Sequence, residues 1–135
     1  MVYIFLALIF YTAVIVIGTI ASRNANTNFV AAISNLIAAI IPLAVILPLL
    51  NKGLLAHTNK LGIIATILSG IAVALFTMAM VKSYSINKVA IVAPIVFGGS
   101  IFLSAILSYF FFKEKITLFQ GVGLAFLAIG LIFVT

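Results

Sequence analysis

The sequence contains no cysteine, and only one of its 135 residues is acidic. Without cysteine the chain has no disulfide framework, no thiolate metal site and no thiol redox motif. Charged residues make up only 6% of the sequence, whereas about a quarter of a soluble domain is charged. The chain therefore lacks the polar surface needed to cover a soluble globule, and its composition predicts an integral membrane protein.

The same scarcity excludes most kinds of reactive site. Glu114 is the one carboxylate, and His57 lies in a polar stretch with no second histidine or carboxylate nearby, so neighbouring residues cannot supply a set of metal ligands. The sequence also lacks a nucleophile–base–acid set, a glycine-rich phosphate loop and a carboxylate pair. We therefore expect no enzyme activity, no metal and no cofactor.

The net charge of +6 does not indicate nucleic-acid binding. The basic residues are scattered singly between apolar runs and do not form the basic stripe of a nucleic-acid-binding surface. We expect this chain to lie in a lipid bilayer and not to bind a nucleic acid.

Five apolar runs occupy most of the sequence. Each is long enough to form roughly 30 Å of helix at ~1.5 Å rise per residue, which is the thickness of a hydrocarbon core. Unpaired backbone is not tolerated in that core, so the runs predict helices. The first run is expected to remain in the protein, since it lacks the basic n-region of a signal peptide. The sequence thus predicts an all-α, polytopic membrane protein, a single transmembrane domain over residues 1–135 with helices at about 2–21, 29–50, 61–81, 89–112 and 117–135.

The breaks between these runs are short and polar. The last break, at residues 113–115, is the tightest, which predicts a close antiparallel hairpin of the fourth and fifth helices. Five membrane crossings place four basic residues on one side of the membrane and three on the other. The orientation of a chain in the membrane follows the difference between these two counts. Because the difference is one residue, worth ~1 kcal/mol, the chain either holds one orientation weakly or inserts both ways. The two groups are Lys52, Lys60, Lys113 and Lys115 on one side, and Arg23, Lys82 and Lys88 on the other.

A motif begins at the single acidic residue. Glu114 is followed by Thr117, Gln120, Gly123 and Gly130, which gives E-x-x-T-x-x-Q-x-x-G-x6-G at the start of the last apolar run. This pattern resembles the end of an EamA-type repeat of the drug/metabolite transporter superfamily. Residues 85–112, SINKVAIVAPIVFGGSIFLSAILSYFFF, are similar to the fourth helix of that repeat. The family often has glycine before the glutamate, where this chain has lysine. The resemblance covers residues 61–135 by motif and residues 1–60 by helix count and spacing.

The resemblance implies a fold and a function. The chain has the length of one five-helix EamA-type repeat, whereas most relatives carry two, and it is similar to the short, single-repeat branch of presumed small-molecule transporters. A second copy of an odd number of crossings is inverted, and inverted repeats build a midplane site with alternating access. The implied protein is a multi-pass transporter of a metabolite or drug-like compound in the inner (cytoplasmic) membrane. It would work as an antiparallel homodimer or as a heterodimer with a similar short chain. The alternative is a non-transporting subunit, or an accessory partner of a larger transporter or lipid-carrier flippase.

Without a buried charge, a substrate site must use neutral polar groups. Asn35 lies near the middle of the second helix, where its amide either joins two helices by a hydrogen bond or lines a cavity. Tyr11 likewise either lines a cavity or bonds a neighbour. In the ten-helix relatives the first, third and fourth helices surround the central cavity. The resemblance therefore directs Tyr11, Thr66 and Ser100 toward such a cavity.

Stripes of small residues mark helices three and four. Ser100, Ser104 and Ser108 recur every four residues, and this serine face is either wet or a packing surface. Pro94 removes a backbone donor, so we expect a kink there that serves gating. The stripe on the third helix, interpreted as close packing, consists of Gly62, Thr66, Gly70 and Ala74.

Glu114 itself falls at the membrane boundary. A carboxylate near the start of the fifth helix meets free N–H groups and the positive end of the helix dipole. We expect a structural role as a cap and topology anchor, with gating or coupling as the alternative.

Overall fold

The structure, a computed structural model, describes residues 2–48 and 59–134. Five helices form in these ranges, and no strand does. The first four are long and apolar enough to cross a membrane, and the fifth has 17 residues. The predicted all-α, polytopic architecture is therefore confirmed, while the expectation for His57 lies outside the described residues. The helices are α1 (Val2–Asn24), α2 (Thr27–Ile46), α3 (Lys60–Ile86), α4 (Val89–Phe112) and α5 (Leu118–Val134).

Two helix boundaries differ in an informative way from the sequence prediction. Helix α3 continues to Ile86 and leaves residues 87–88 as its link to α4, and residues 25–26 join α1 to α2. The α4–α5 link is longer, since residues 113–117 are non-helical. The prediction that the break at 113–115 is the tightest is therefore wrong. Polar residues of the KSYSINK stretch stay helical because the last turn of α3 packs against α1, with Tyr84 only 4% exposed.

Residues Met1–Ile86 form one compact unit in which α1, α2 and α3 pack together. Val30 and Ala31 of α2 meet Val81 of α3 in a small apolar core, with Ala21 of α1 beside it. Small side chains at this point let the helix backbones approach closely, which drives helix association in lipid. Asn26 begins α2, since its side chain accepts hydrogen bonds from the Asn28 and Phe29 backbone N–H groups.

The same end of this unit buries several polar groups. The Thr19 hydroxyl donates to the Ile15 carbonyl at 2.7 Å, and the Ser22 hydroxyl donates to the Thr19 carbonyl at 2.9 Å. Such bonds to the helix's own backbone satisfy a hydroxyl without a partner helix. Arg23 Nε donates to the Tyr84 carbonyl at 3.4 Å. The end of α1 is thereby tied to the end of α3.

Residues Asn87–Thr135 form the second compact unit, which is the α4–α5 hairpin. Helix α4 contains a π-helical segment, Pro94–Gly98, that begins at the proline expected to interrupt it. A proline has no N–H to offer the carbonyl one turn back, and a wider turn is one way in which a helix absorbs that loss. Gly98 faces α5 so closely that a Cβ on it would lie 2.8 Å from Leu131 Cδ2.

The interpretation of residues 1–135 as one domain stays a prediction.

Candidate functional site

A groove of about 620 Å³ lies between α2 and α3 within the first unit. Its walls are mostly small side chains, which is why two packed helices leave a hollow there. The groove is open at position 70, since a Cβ on Gly70 would meet no described atom within 4 Å. The lining residues are Asn35, Ala38, Ala39 and Pro42 of α2 and Thr66, Ser69, Gly70, Val73 and Ala74 of α3.

Asn35 is the central polar group of this groove. The Thr77 hydroxyl lies 3.2 Å from Asn35 Oδ1 and 2.9 Å from the Val73 carbonyl, so one hydroxyl proton serves two acceptors. The other polar atom of the Asn35 amide makes no hydrogen bond to a residue that the structure describes. One end of the Asn35 amide therefore joins α2 to α3, and Asn35 also lines the groove, while a substrate role for it stays a prediction.

Two of the residues predicted for the site come together here. Asn35 and Thr66 line one groove, although they lie on different helices. The Thr66 hydroxyl donates to the Gly62 carbonyl at 2.8 Å, which leaves its oxygen as an acceptor. Sequence reasoning missed Ser69, even though it follows Thr66 by three residues and must share its helix face. The charged residues of α3 stand near its ends, and the groove lining contains no charged side chain.

The other predicted site residues do not line this groove. Tyr11 lies on α1 and is 41% exposed. Ser100 and Ser104 lie on α4 in the second unit, where both are exposed. Their hydroxyls donate to the carbonyls of Phe97 and Ile101 at 2.9 Å each. The serine donors are thus used within α4 itself, and a substrate role for these three residues stays a prediction.

Tyr84 is a polar residue that sequence reasoning did not single out. Its side chain is buried, and its hydroxyl has no hydrogen-bond partner among the described residues. Buried hydroxyls are normally paired, so each exception calls for an explanation. The sequence alone does not single out Tyr84, because the polar KSYSINK stretch resembles a loop. A tyrosine in a loop is typical of an anchor at the membrane interface.

A second hollow runs along the α4–α5 hairpin. Its upper part, about 450 Å³, is next to the 113–117 link, and its lower part, about 430 Å³, is next to the π-helical segment. The two parts share Ile101 and Leu127 and so adjoin each other, and together they are called the α4–α5 crevice. The upper part is lined by Ile101, Ala105, Ser108, Glu114, Lys115, Ile116, Gln120, Gly123, Leu124 and Leu127. The lower part is lined by Pro94, Gly98, Ile101, Phe126, Leu127, Gly130, Leu131 and Val134.

The motif at residues 114–130 builds the upper end of this crevice. The Thr117 N–H donates to Gln120 Oε1 at 2.8 Å, and the Gln120 N–H donates to Thr117 Oγ1 at 3.3 Å. This reciprocal pair is a capping box, and it begins α5. The prediction that Glu114 caps the fifth helix is therefore wrong, since Thr117 does so. Glu114 Oε2 instead accepts a hydrogen bond from the Ser108 hydroxyl of α4 at 2.9 Å.

A comparison of the sequence with models of known protein families identifies the family of this chain. The sequence model of the EamA-like transporter family matches residues 1–135, the whole chain. The chain belongs to the EamA-like transporter family. The members of this family are membrane transporters of small molecules, and membership indicates that general role for this chain. No curated protein and no solved structure matches the chain.

The geometry explains what the resembling motif does in this EamA-like chain. Gly123 lines the upper part of the crevice and Gly130 the lower part, so both glycines keep the α5 face hollow. Glu114 closes the α4–α5 link onto Ser108, and the threonine–glutamine pair starts α5. Each motif position thus shapes the hairpin.

Within residues 2–48 and 59–134, no group of three histidine, aspartate or glutamate side chains is placed to hold a metal ion.

Proposed function

We propose that this EamA-like protein transports a small organic molecule, uncharged or amphipathic, across the cytoplasmic membrane. The α2–α3 groove is the observation that carries the proposal. Its lining includes Asn35, Thr66 and Ser69 among small apolar side chains, within two of the helices long enough to span the membrane. A substrate would replace its water hydrogen bonds with bonds to these groups and bury its apolar part against the alanines.

The absence of charge in the groove lining supports the substrate class. An ion moved into an apolar site loses several kcal/mol of hydration unless a counter-charge or a metal compensates. The groove offers amide and hydroxyl groups and no counter-charge. It therefore favours a molecule with carbonyl, hydroxyl or amide hydrogen-bonding groups and no net charge.

The mechanism we propose is alternating access in an antiparallel dimer. A five-helix repeat is related to its duplicate by inversion, and inverted repeats form a site that opens to each side in turn. The partner would be a second copy of this chain, or a similar short chain inserted the opposite way. The near-even distribution of basic residues between the two sides supports the homodimer.

A groove-filling variant tests the transport site. Gly70→Leu places a side chain into the groove at a point where a Cβ meets no described atom within 4 Å. Gly18→Leu on α1 is the matched control, because a Cβ there is equally unobstructed and lies outside the groove lining. Replacing helical glycine stabilises by roughly 0.5–1 kcal/mol in either case. Both proteins should therefore fold, and only Gly70→Leu should lose flux.

The substrate panel comes first in that experiment. Uncharged metabolites and their cationic and anionic analogues are screened by thermal shift on the purified protein, and the strongest ligand is then followed in proteoliposomes. We expect the uncharged members to raise the melting temperature of the wild type and not of Gly70→Leu. Equal flux through both glycine variants would refute the groove as the site. Binding without flux in a dimeric preparation would favour the accessory-subunit alternative.

A further inference from the structure

The α4–α5 crevice changes character along its length. Its upper end carries Glu114, Lys115, Ser108 and Gln120, whereas every residue that lines its lower part is apolar or glycine. An elongated hollow with charges of both signs at one end and hydrocarbon along the rest matches the shape of a lipid. We propose that it binds a phospholipid with an ethanolamine headgroup, with one acyl chain lying along the crevice.

The polar end lies where headgroups lie. Residues 113–117 join two apolar helices and carry three consecutive charged side chains, which places them at the membrane boundary. Lys115 offers an ammonium to the lipid phosphate. Glu114 is held by Ser108 at 2.9 Å, and its carboxylate retains acceptor positions for a lipid ammonium.

The crevice is long enough to hold an acyl chain through the depth of one leaflet. From Ser108 to Pro94 the crevice follows 14 residues of α4, which is about 21 Å at ~1.5 Å per residue. One leaflet contributes half of the ~30 Å hydrocarbon core, or about 15 Å. A chain that begins at Lys115 can therefore follow the crevice through the full depth of its own leaflet, and the π-helical segment lies beyond that depth.

The two charges distinguish among headgroups. An ethanolamine ammonium has three N–H donors and can bond the Glu114 carboxylate, whereas the trimethylammonium of choline has none. A glycerol headgroup would engage Lys115 and leave Glu114 without a cation. The charge pattern of the crevice therefore ranks phosphatidylethanolamine above phosphatidylcholine and phosphatidylglycerol.

The sequence has no tryptophan, so a single introduced tryptophan reports on one position. Phe126→Trp places the reporter in the lower crevice. Phe133→Trp on the same helix is the control, since both phenylalanines are largely exposed but only Phe126 belongs to the crevice lining. Each protein is reconstituted in phosphatidylcholine vesicles with increasing fractions of acyl-brominated phosphatidylethanolamine, phosphatidylcholine or phosphatidylglycerol, and fluorescence quenching gives the relative binding of each lipid.

Brominated phosphatidylethanolamine should quench Phe126→Trp with a relative binding constant about five-fold above that of phosphatidylcholine, the ratio expected for one favourable headgroup charge contact. The Phe133→Trp control should show no preference. In the Phe126→Trp background, Glu114→Gln should abolish the ethanolamine-over-choline preference, and Lys115→Gln should weaken both lipids, with melting temperatures confirming that each variant folds. Identical quenching at both tryptophans would overturn the proposal. Weaker quenching of Phe126→Trp than of Phe133→Trp in every lipid would also overturn it and would assign the crevice to a protein partner. Neither outcome depends on transport through the α2–α3 groove.

Discussion

At the scale of single residues, Lys113 has the most constrained backbone of the described chain. Its φ of 54° is the one positive value at a non-glycine position there, in the left-handed region. The conformation ends α4, because the Lys113 and Glu114 N–H groups both turn back to the Ser108 carbonyl. A glycine adopts this conformation without steric cost, which gives a physical reason for the glycine often found before the glutamate in the resembling repeats.

This backbone predicts a stabilising substitution. A left-handed conformation costs an L-residue with a Cβ roughly 1–2 kcal/mol. Lys113→Gly should therefore raise the melting temperature of the purified protein in detergent. Lys113→Ala is the control, since it removes the same charge and keeps the Cβ. An equal increase for both variants would show that the lysine charge, and not the backbone, is the source of the effect.

At the scale of the helical elements, the α4–α5 contact depends on one of two adjacent glycines. Gly98 is buried and faces Leu131, whereas a Cβ on Gly99 would meet no described atom within 4 Å. The π-helical segment sets this register, because it ends between the two glycines and brings the first of them against α5. The sequence GGS contains nothing that tells these two positions apart.

Gly99 is the matched control for a substitution at Gly98. Gly98→Leu should force α4 from α5 and lower stability by ~1–3 kcal/mol, the usual cost of overpacking. Gly99→Leu should be neutral or stabilising. The two variants are compared by thermal unfolding in one detergent, and Leu131→Ala is then added to Gly98→Leu. Failure of that addition to recover part of the lost stability would contradict the proposed contact.

At the scale of the whole molecule, the distribution of basic residues predicts how the chain inserts. The count is four against three, and each basic residue near the surface is worth ~1 kcal/mol. A C-terminal reporter on the wild type should therefore appear on both sides of the membrane. This outcome is required for an antiparallel homodimer made of one gene product.

Two opposing variants sharpen that experiment. Lysines at positions 24, 25 and 28 change the count to four against six, and lysines at positions 57 and 58 change it to six against three. Reporter accessibility should shift in opposite directions in the two variants, and mixing them should restore dimer function. Asn26 is left intact because it caps α2. A wild-type reporter on one side only would remove the homodimer and leave a heterodimer with a similar chain.

The sequence by itself determined the membrane class, the five helices, the family and the uncharged character of the helix interiors. Each of these follows from composition, run length or local spacing, which a bilayer converts directly into helices. The capping box of α5 also depends only on residues close together in the sequence. The sequence prediction nevertheless assigned the cap to Glu114, whereas the structure assigns it to Thr117 with Gln120.

Only the tertiary structure decided which helix faces meet. It brought Asn35 to Thr66 and Thr77, turned Ser100 and Ser104 onto their own backbone, and buried Tyr84. The physical reason is the solvent. In water an apolar stripe marks the inward face of a helix, whereas in lipid every face is apolar and no hydrophobic force selects one. The inward faces are chosen by close packing and a few hydrogen bonds, and those depend on residues that are distant in the sequence.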